Sequence, residues 1–306
     1  FTEENPYIKR YCHFPDRLYL ESIKETFCLQ SFSSIAKRFG VSVTSIIRWF
    51  DNLNYPHPKL PECIAIDELR GNAGGEKFQC NIADPVKHQV IDILPSRNTE
   101  NLCKHFLEYP YKERAAVKKI IMDLSTLFRS VAKSMFPEAK IVADKFHVIR
   151  AVINSLENVR KRIQKEFHAT KRKWFKRSRY LLLKPEYKLT SEDKTELARM
   201  LNSSYDLEKA YVLKERFYEV FRKQTRTEAK KELGNWLLLA ADLSLPEFRH
   251  CITTFSNWKT EIANIIGERV SNGFIEGSNN KIKVLKRISY GVQNFDRFRN
   301  RILYLQ

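Results

Sequence analysis

Between Cys63 and Asp144 the chain sets out five short apolar runs, and their spacing constrains the fold more than any other feature of the sequence. "CIAIDE", "EKFQCNIAD" and "HQVIDILPS" follow one another closely, separated by "GNAGG" and by Asp84-Pro85, as strands joined by tight turns do. "NTENLCKHFLEY" then carries Thr99 as a helix cap and a stripe of Leu102, Phe106 and Leu107. "VKKIIMD" reads as a fourth strand, "STLFRSVAKSMF" as a second helix and "AKIVAD" as a fifth strand. The order βββαβαβ predicts an α/β fold, a mixed five-stranded sheet with helices packed on it. From Phe146 to about Arg269 no strand pattern is present. Val148, Val152, Leu156, Val159, Ile163 and Phe167 step by four or three, which predicts one long amphipathic helix. That helix opens a helical insertion over 150–269, with further helices over 190–224 and 226–242. The sheet-forming segment is 63–149, and 270–306 reads as a basic helical ending.

Residues 16–53 precede the sheet as a group of helices. Leu18, Ile23 and Phe27 mark one apolar stripe, and "FSSIAKRFGVSVTSIIRWFDNL" has helix-turn-helix spacing. Ala36 allows close helix approach, Gly40 accepts a left-handed turn, Val41 and Ile46 are buried, and Ser42 caps the second helix. That helix, Val43 to Phe50, exposes Thr44, Ser45 and Arg48, which suit base edges and phosphates in a major groove. An ordinary helical hairpin has the same outline, and charge favours the DNA-binding reading. With 54 Lys and Arg against 36 Asp and Glu, the net charge of +18 calls for a polyanionic partner, nucleic acid first. An anionic membrane is the competing partner, but the longest clean apolar run, "WLLLAA" at 236–241, is far short of a span. In "KRKWFKRSRY" the basic Arg172, Lys173 and Lys176 alternate with Trp174, Phe175 and Tyr180. Such a cluster can grip a phosphate backbone and stack on bases, or form a solvated face with its aromatics turned inward.

"NYPHPKLPE" at 54–62 is a proline-rich linker. Cysteines 12, 28, 63, 80, 103 and 251 are scattered without a Cys-x-x-Cys pair, so reduced thiols in a cytoplasmic compartment are expected. Cys63 and Cys80 fall inside strand patterns and read as small core residues. No signal peptide is visible, and the start on Phe1 predicts a missing upstream segment.

The candidate chemistry lies in carboxylates. Asp67 stands inside an apolar strand after Ile64 and Ile66, an expensive position unless the charge is paired or holds a cation. Asp123 ends the fourth strand, which the element order places beside the first, and carboxylates on adjacent strands can share hard divalent ions. Glu276 supplies a third acid. Glu276, Asn280, Lys283 and Arg287 fall at steps of four, three and four, hence on one helix face, with Gly277 leaving room beside the acid. Asp144 ends the fifth strand with His147 three residues on, and spacing alone leaves it open as the second acid. Glu68, Asp84 and Asp92 read as structural or solvated.

"IAIDE", "IIMDLS", "IVADKFHV" and "SNGFIEGSNNKIKVLKRISYG", together with the helix-turn-helix, resemble the DDE transposases of the ISL-three (ISL3) family of bacterial insertion sequences. The resemblance implies a ribonuclease-H-like fold with a helical insertion before the last acid. It also implies a catalytic and metal-binding set of Asp67, Asp123 and Glu276 holding two Mg²⁺ ions, with Mn²⁺ as a substitute. Asp144 and His147 look like an accessory acid-x-x-His signature, which favours Asp123 as the second ligand. The implied reaction is cleavage at the element's ends followed by attack of the freed 3′-hydroxyl on target DNA. Its partners are double-stranded DNA (terminal inverted repeats and target) and a second copy of the chain, in a bacterial, nucleoid-associated setting. Residues 1–15 resemble the tail of a zinc ribbon whose Cys pairs this chain lacks, so zinc is not expected. A non-catalytic DNA-binding regulator and a metal-dependent structure-specific nuclease are the alternatives with the same fold.

Overall fold

The five apolar runs form five strands in the computed structural model, which describes residue 8 and residues 13–71, 73–268, 270 and 273–305. The segment read as a zinc-ribbon tail lies almost wholly outside the described residues. Three N-terminal helices, α1 (Asp16–Thr26), α2 (Phe32–Phe39) and α3 (Val43–Asp51), lead to β1 (Cys63–Arg70), β2 (Phe78–Asp84) and β3 (Gln89–Leu94). Then come α4 (Thr99–Leu107), a short α5 (Tyr111–Ala115) that the sequence pattern did not predict, β4 (Lys119–Met122), α6 (Thr126–Met135) and β5 (Lys140–Ala143). The sheet order is β3-β2-β1-β4-β5. This is the ribonuclease-H-like order of a mixed sheet, with a large helical insertion after the last strand.

β1 and β2 pair antiparallel with Asp67 opposite Asn81, and β2 pairs antiparallel with β3 across a bulge at Ile82/Ala83. Residues directly opposite share a face of the sheet, so Asp67 and Asn81 point the same way while Glu68 points the other. The chain divides into two compact units, one of residues 1–121, 126–139 and 272–306, the other of 122–125 and 140–271.

In the first unit, Leu69, Val90 and Ile93 pack against Ile282 and Leu285 of α15 (Gly273–Ile288) and Phe298 and Ile302 of α16 (Phe295–Tyr304). The N-terminal helices form as their caps dictate. Ser31 and Ser42 accept backbone N–H groups at the starts of α2 and α3, and Gly40 takes the left-handed conformation at φ 65°. Ile35, Ala36 and Ile46 make their core; Val41, expected to be buried, is half-buried at its margin. These helices are fastened to α16. Arg297 grips Asp51 with two nitrogens at 2.8 and 2.6 Å, and Tyr304 stacks on Phe27. The buried Arg301 donates to the Gln30 carbonyl at 2.7 Å and lies over the Phe32 ring. Burial pushes the Arg301 guanidinium down to about 10, the mark of a charge taken out of water.

Among its described residues the second unit is helical apart from β5 and Met122, the last residue of β4. Its first helix, α7 (Lys145–Lys165), buries Val148, Val152, Leu156, Val159 and Ile163 along one stripe, as their spacing predicts. It ends before Phe167, which instead packs edge-on against Phe175 of α8 (Ala169–Arg177). Then follow α9 (Arg179–Leu183), α10 (Ser191–Leu201), α11 (Tyr205–Tyr218), α12 (Arg226–Asp242), α13 (Arg249–Asn257) and α14 (Lys259–Ala263). Lys214, on α11, is buried and donates to the Leu182 and Lys184 carbonyls at the end of α9, satisfying acceptors that the helix leaves over. Asn264 donates to the Ile141 carbonyl and ties α14 to β5. Among the described residues Cys28, Cys63, Cys80, Cys103 and Cys251 form no disulfide, with Cys63 and Cys80 in the core as expected. No described helix is long and apolar enough to cross a membrane.

Candidate active site

Asp67 is half-buried on β1, and α15 meets it on the face it shares with Asn81. Asn279 donates from Nδ2 to Asp67 Oδ2 at 2.8 Å and accepts at Oδ1 from Asn81 Nδ2, also at 2.8 Å. The backbone N–H of Glu68 donates to Asp67 Oδ1 at 2.8 Å. These donors are neutral. They fix the carboxylate's direction.

Glu276 lies three residues before Asn279 on α15, so both project from neighbouring positions on one side of the helix. It is exposed, as are Asn280, Lys283 and Arg287, so the expected polar face is the open face of α15. Lys283 donates to Asn280 Oδ1 at 3.3 Å. Arg70, Lys283, Lys286 and Arg287 line one surface groove with Tyr290 and Gly291. Burial, and then the neighbouring Arg70 charge, lower the Lys286 ammonium. Tyr290 is 96% exposed with φ at 50°, a conformation rarely adopted by an aromatic residue.

Asn279 is therefore the amide of α15 that meets an acid. The sequence held a signal for it, because Ile275, Asn279 and Ile282 lie on the buried stripe of α15 and a buried amide needs partners. Asn81, alone among the apolar residues of "CNIA", carried the same signal.

The other two acids belong to the second unit. Asp123 follows the last residue of β4 and is half-buried. Asp144 is buried after β5, where its N–H donates to the Met122 carbonyl at 2.7 Å. Its side chain caps α7, with Oδ1 accepting from the Phe146 N–H at 3.2 Å and Oδ2 paired with His147 Nδ1 at 2.6 Å. Both oxygens thus serve the start of its own helix. Of the remaining carboxylates, Glu68 pairs with Arg97 on the far face of the sheet. Asp84 accepts two backbone N–H groups in its turn, and the buried Asp92 is gripped by two Arg299 nitrogens.

The expected DNA contacts sort themselves by exposure. Thr44 and Arg48 are exposed on α3, whereas the Ser45 hydroxyl is hydrogen-bonded to that of Ser42 at 2.9 Å and works within the cap. On α8, Arg172, Lys173 and Lys176 are exposed along a groove they share with Lys161 and Lys165 of α7. Trp174 is half-buried with its indole N–H donated to Glu196, and Phe175 is fully buried, so here the aromatics hold the helix in place. One further group can hold a metal ion: His57, His105 and Glu108 have donor atoms within 4.8 Å of one another.

The strand order and the large helical insertion after the last strand are those of a ribonuclease-H-like fold. The chain belongs to the ISL3 family of DDE transposases, whose family profile, described as a transposase, matches residues 64–302. It is 26% identical over 241 residues to the transposase for insertion sequence element IS1001 of Bordetella parapertussis, covering 78% of this chain and 59% of that protein. It is 27% identical over 254 residues to the transposase for insertion sequence element IS1557 of Mycobacterium tuberculosis, covering 76% and 57%. A shorter stretch of 94 residues is 35% identical to an ATP-dependent protease of Lactococcus lactis subsp. lactis, covering 30% of this chain and 26% of that one. The chain thus spans 57–59% of the length of the two transposases.

Proposed function

We propose that this chain forms the DNA-binding and catalytic part of an insertion-sequence transposase, with Asp67, Asp123 and Glu276 as its metal-binding acids. The observation that carries this reading is the hydrogen bond from Asn279 to Asp67, which joins the strand of the first acid to the helix of the third. An all-carboxylate donor set suits Mg²⁺, with Mn²⁺ as its substitute, because hard cations prefer oxygen. Bound divalent ions supply Lewis-acid activation of the attacking oxygen and charge neutralisation at the leaving oxygen. Asn279 and Asn81 hold the Asp67 carboxylate in one orientation, so no reorganisation is needed when a phosphodiester arrives. Lys283, Lys286, Arg287 and Arg70 offset the charge of the DNA backbone, and Asn280 adds a neutral hydrogen-bonding group beside them. Thr44 and Arg48 present the reading edge of α3 to terminal inverted repeats, and Arg172, Lys173 and Lys176 hold phosphates farther along the DNA. Pairing two ends of an element requires at least a homodimer in the active complex, and a cytoplasmic, nucleoid-associated setting accompanies this activity.

The test is a cleavage and joining assay with Mg²⁺ on DNA carrying the element's own ends. Cleavage followed by joining to target DNA is expected. Cutting without joining assigns the chain to the nucleases, and binding without either reaction assigns it to the DNA-binding regulators.

A further inference from the structure

The linker and the end of α4 carry a second constellation of a different chemical kind. One ring nitrogen each of His57 and His105 and a carboxylate oxygen of Glu108 lie within 4.8 Å of one another. His105 and Glu108 are three residues apart on the last turn and C-cap of α4 and so face the same way. His57 reaches them from the linker, with its Nε2 at 3.3 Å from Glu108 Oε2 and its ring stacked on that of His105 at 5.5 Å.

His105 is the informative member. It is buried to 6% exposure, and its Nε2 has no hydrogen-bond partner among the described residues. Buried imidazole nitrogens are normally satisfied. On the other side of the ring, Nδ1 faces Asp92 Oδ2 at 3.7 Å, and Asp92 is itself pinned by Arg299. A carboxylate behind one nitrogen selects the tautomer whose other nitrogen offers a lone pair, which is how metal-binding histidines are held. The Tyr109 hydroxyl, also buried without a hydrogen-bond partner among the described residues, belongs to a ring that packs against both imidazoles.

We propose that His57, His105 and Glu108 bind a zinc-class divalent ion that clamps the 54–62 linker to α4. Two imidazoles and one carboxylate make a borderline donor set that suits Zn²⁺ and serves Mg²⁺ poorly. Tetrahedral bonds of about 2.0–2.2 Å need donors roughly 3.3–3.5 Å apart. The half-exposed His57 and Glu108 close the remaining distance by side-chain rotation, while His105 stays fixed. Three protein ligands leave a fourth position for water. The site is separate in residues and in metal preference from the carboxylates assigned to DNA cleavage, and it does not involve the cysteines of a zinc ribbon.

The test uses the full chain stripped of metal and titrated with Zn²⁺ against a chromophoric chelator, with Co²⁺ as a spectroscopic substitute. One equivalent of Zn²⁺ bound in competition with the chelator is expected, with the visible absorption of tetrahedral Co²⁺ and no displacement by excess Mg²⁺. His57→Ala and Glu108→Ala, at half-exposed positions, should each weaken binding at least about tenfold. Zinc should also slow tryptic cleavage after Lys59 in the unmodified chain and leave it unchanged in His57→Ala. Failure to bind stoichiometric zinc, or equal affinity in the unmodified chain and both variants, overturns the proposal.

Discussion

Asp67 and Asp144 are both carboxylates set at apolar strands, and the structure treats them in opposite ways. Asp144 is buried with its charge answered at home, one oxygen on the Phe146 N–H and the other on His147. Asp67 is half-buried and receives hydrogen bonds from an asparagine of a distant helix and from a backbone amide. A carboxylate that terminates a strand and starts a helix needs only local donors. One that is to meet an incoming cation needs its geometry fixed and its charge kept. The Asn279 amide, from a helix remote in sequence, fixes that geometry at Asp67.

The sharpest way to break this comparison is to remove the charge of the acids assigned to the reaction. Asp67→Asn and Asp123→Asn should each cut the rate of strand cleavage by at least about 10³-fold, as loss of a group acting in a catalytic unit does. Glu276→Ala should do the same, with binding to end DNA nearly intact in all three. Filter binding beside a cleavage assay measures both. Normal cleavage by any one variant removes that residue from the set.

Asn279→Ala tests whether the amide orients the acid. With Asp67 and Glu276 unchanged, cleavage should fall by roughly 10–100-fold, the usual cost of losing an outer-shell partner. DNA affinity should hold, since Asn279 is buried and faces the sheet. A loss of stability of about 1–3 kcal/mol accompanies it, because Asn81 Nδ2 is left without its acceptor. An unchanged rate in a folded variant removes Asn279 as a positioning residue.

How much of this was legible in the sequence follows from what each feature depends on. The strands, their order and the Ser42 cap of α3 are local in period or in residue type, and these were readable, whereas α4 is capped by Asn98 rather than the expected Thr99. So was the open face of α15 with Glu276, because helical spacing fixes it. Asn81 and Asn279 were less visible, since each is a single polar residue on an apolar stripe whose partner depends on strand register and on which helix packs there. Trp174 and Phe175 show the converse. A basic-aromatic run looks the same whether its rings meet bases or their own protein, and only packing against Glu196 and Phe167 decides it. The His57, His105 and Glu108 group unites a linker with a helix end, a relation that periodicity does not carry.

Arg48 offers a smaller effect. It is exposed on α3, and Arg48→Ala should weaken binding to the element's ends by about 1–3 kcal/mol while random DNA loses less. Both affinities should fall steeply with salt, given a net charge of +18. Competition binding at two salt concentrations separates the roles, and equal losses on both DNAs make Arg48 a phosphate contact rather than a base reader.

The smallest effect expected is at Asp144, and it returns to the opening contrast. Asn is as good an N-cap as Asp, so Asp144→Asn keeps the bond to the Phe146 N–H and loses only the charge that His147 meets. Asp144→Ala loses both. The Asn variant should therefore cost no more than about 1 kcal/mol of stability and the Ala variant about 1–2 kcal/mol more, read by denaturant titration of the helical signal. Cleavage should slow by less than about tenfold in Asp144→Asn, since a positioning partner is changed and no ligand is lost. His147→Gln provides the matching half of the pair, removing the imidazole while leaving the cap in place, and should resemble Asp144→Asn. If Asp144→Asn instead abolishes cleavage in a fully folded protein while Asp123→Asn still cuts, then the buried acid is the second ligand. Asp123 would in that case take the structural role, and the distinction between acids answered locally and acids held by remote amides would not mark function in this fold.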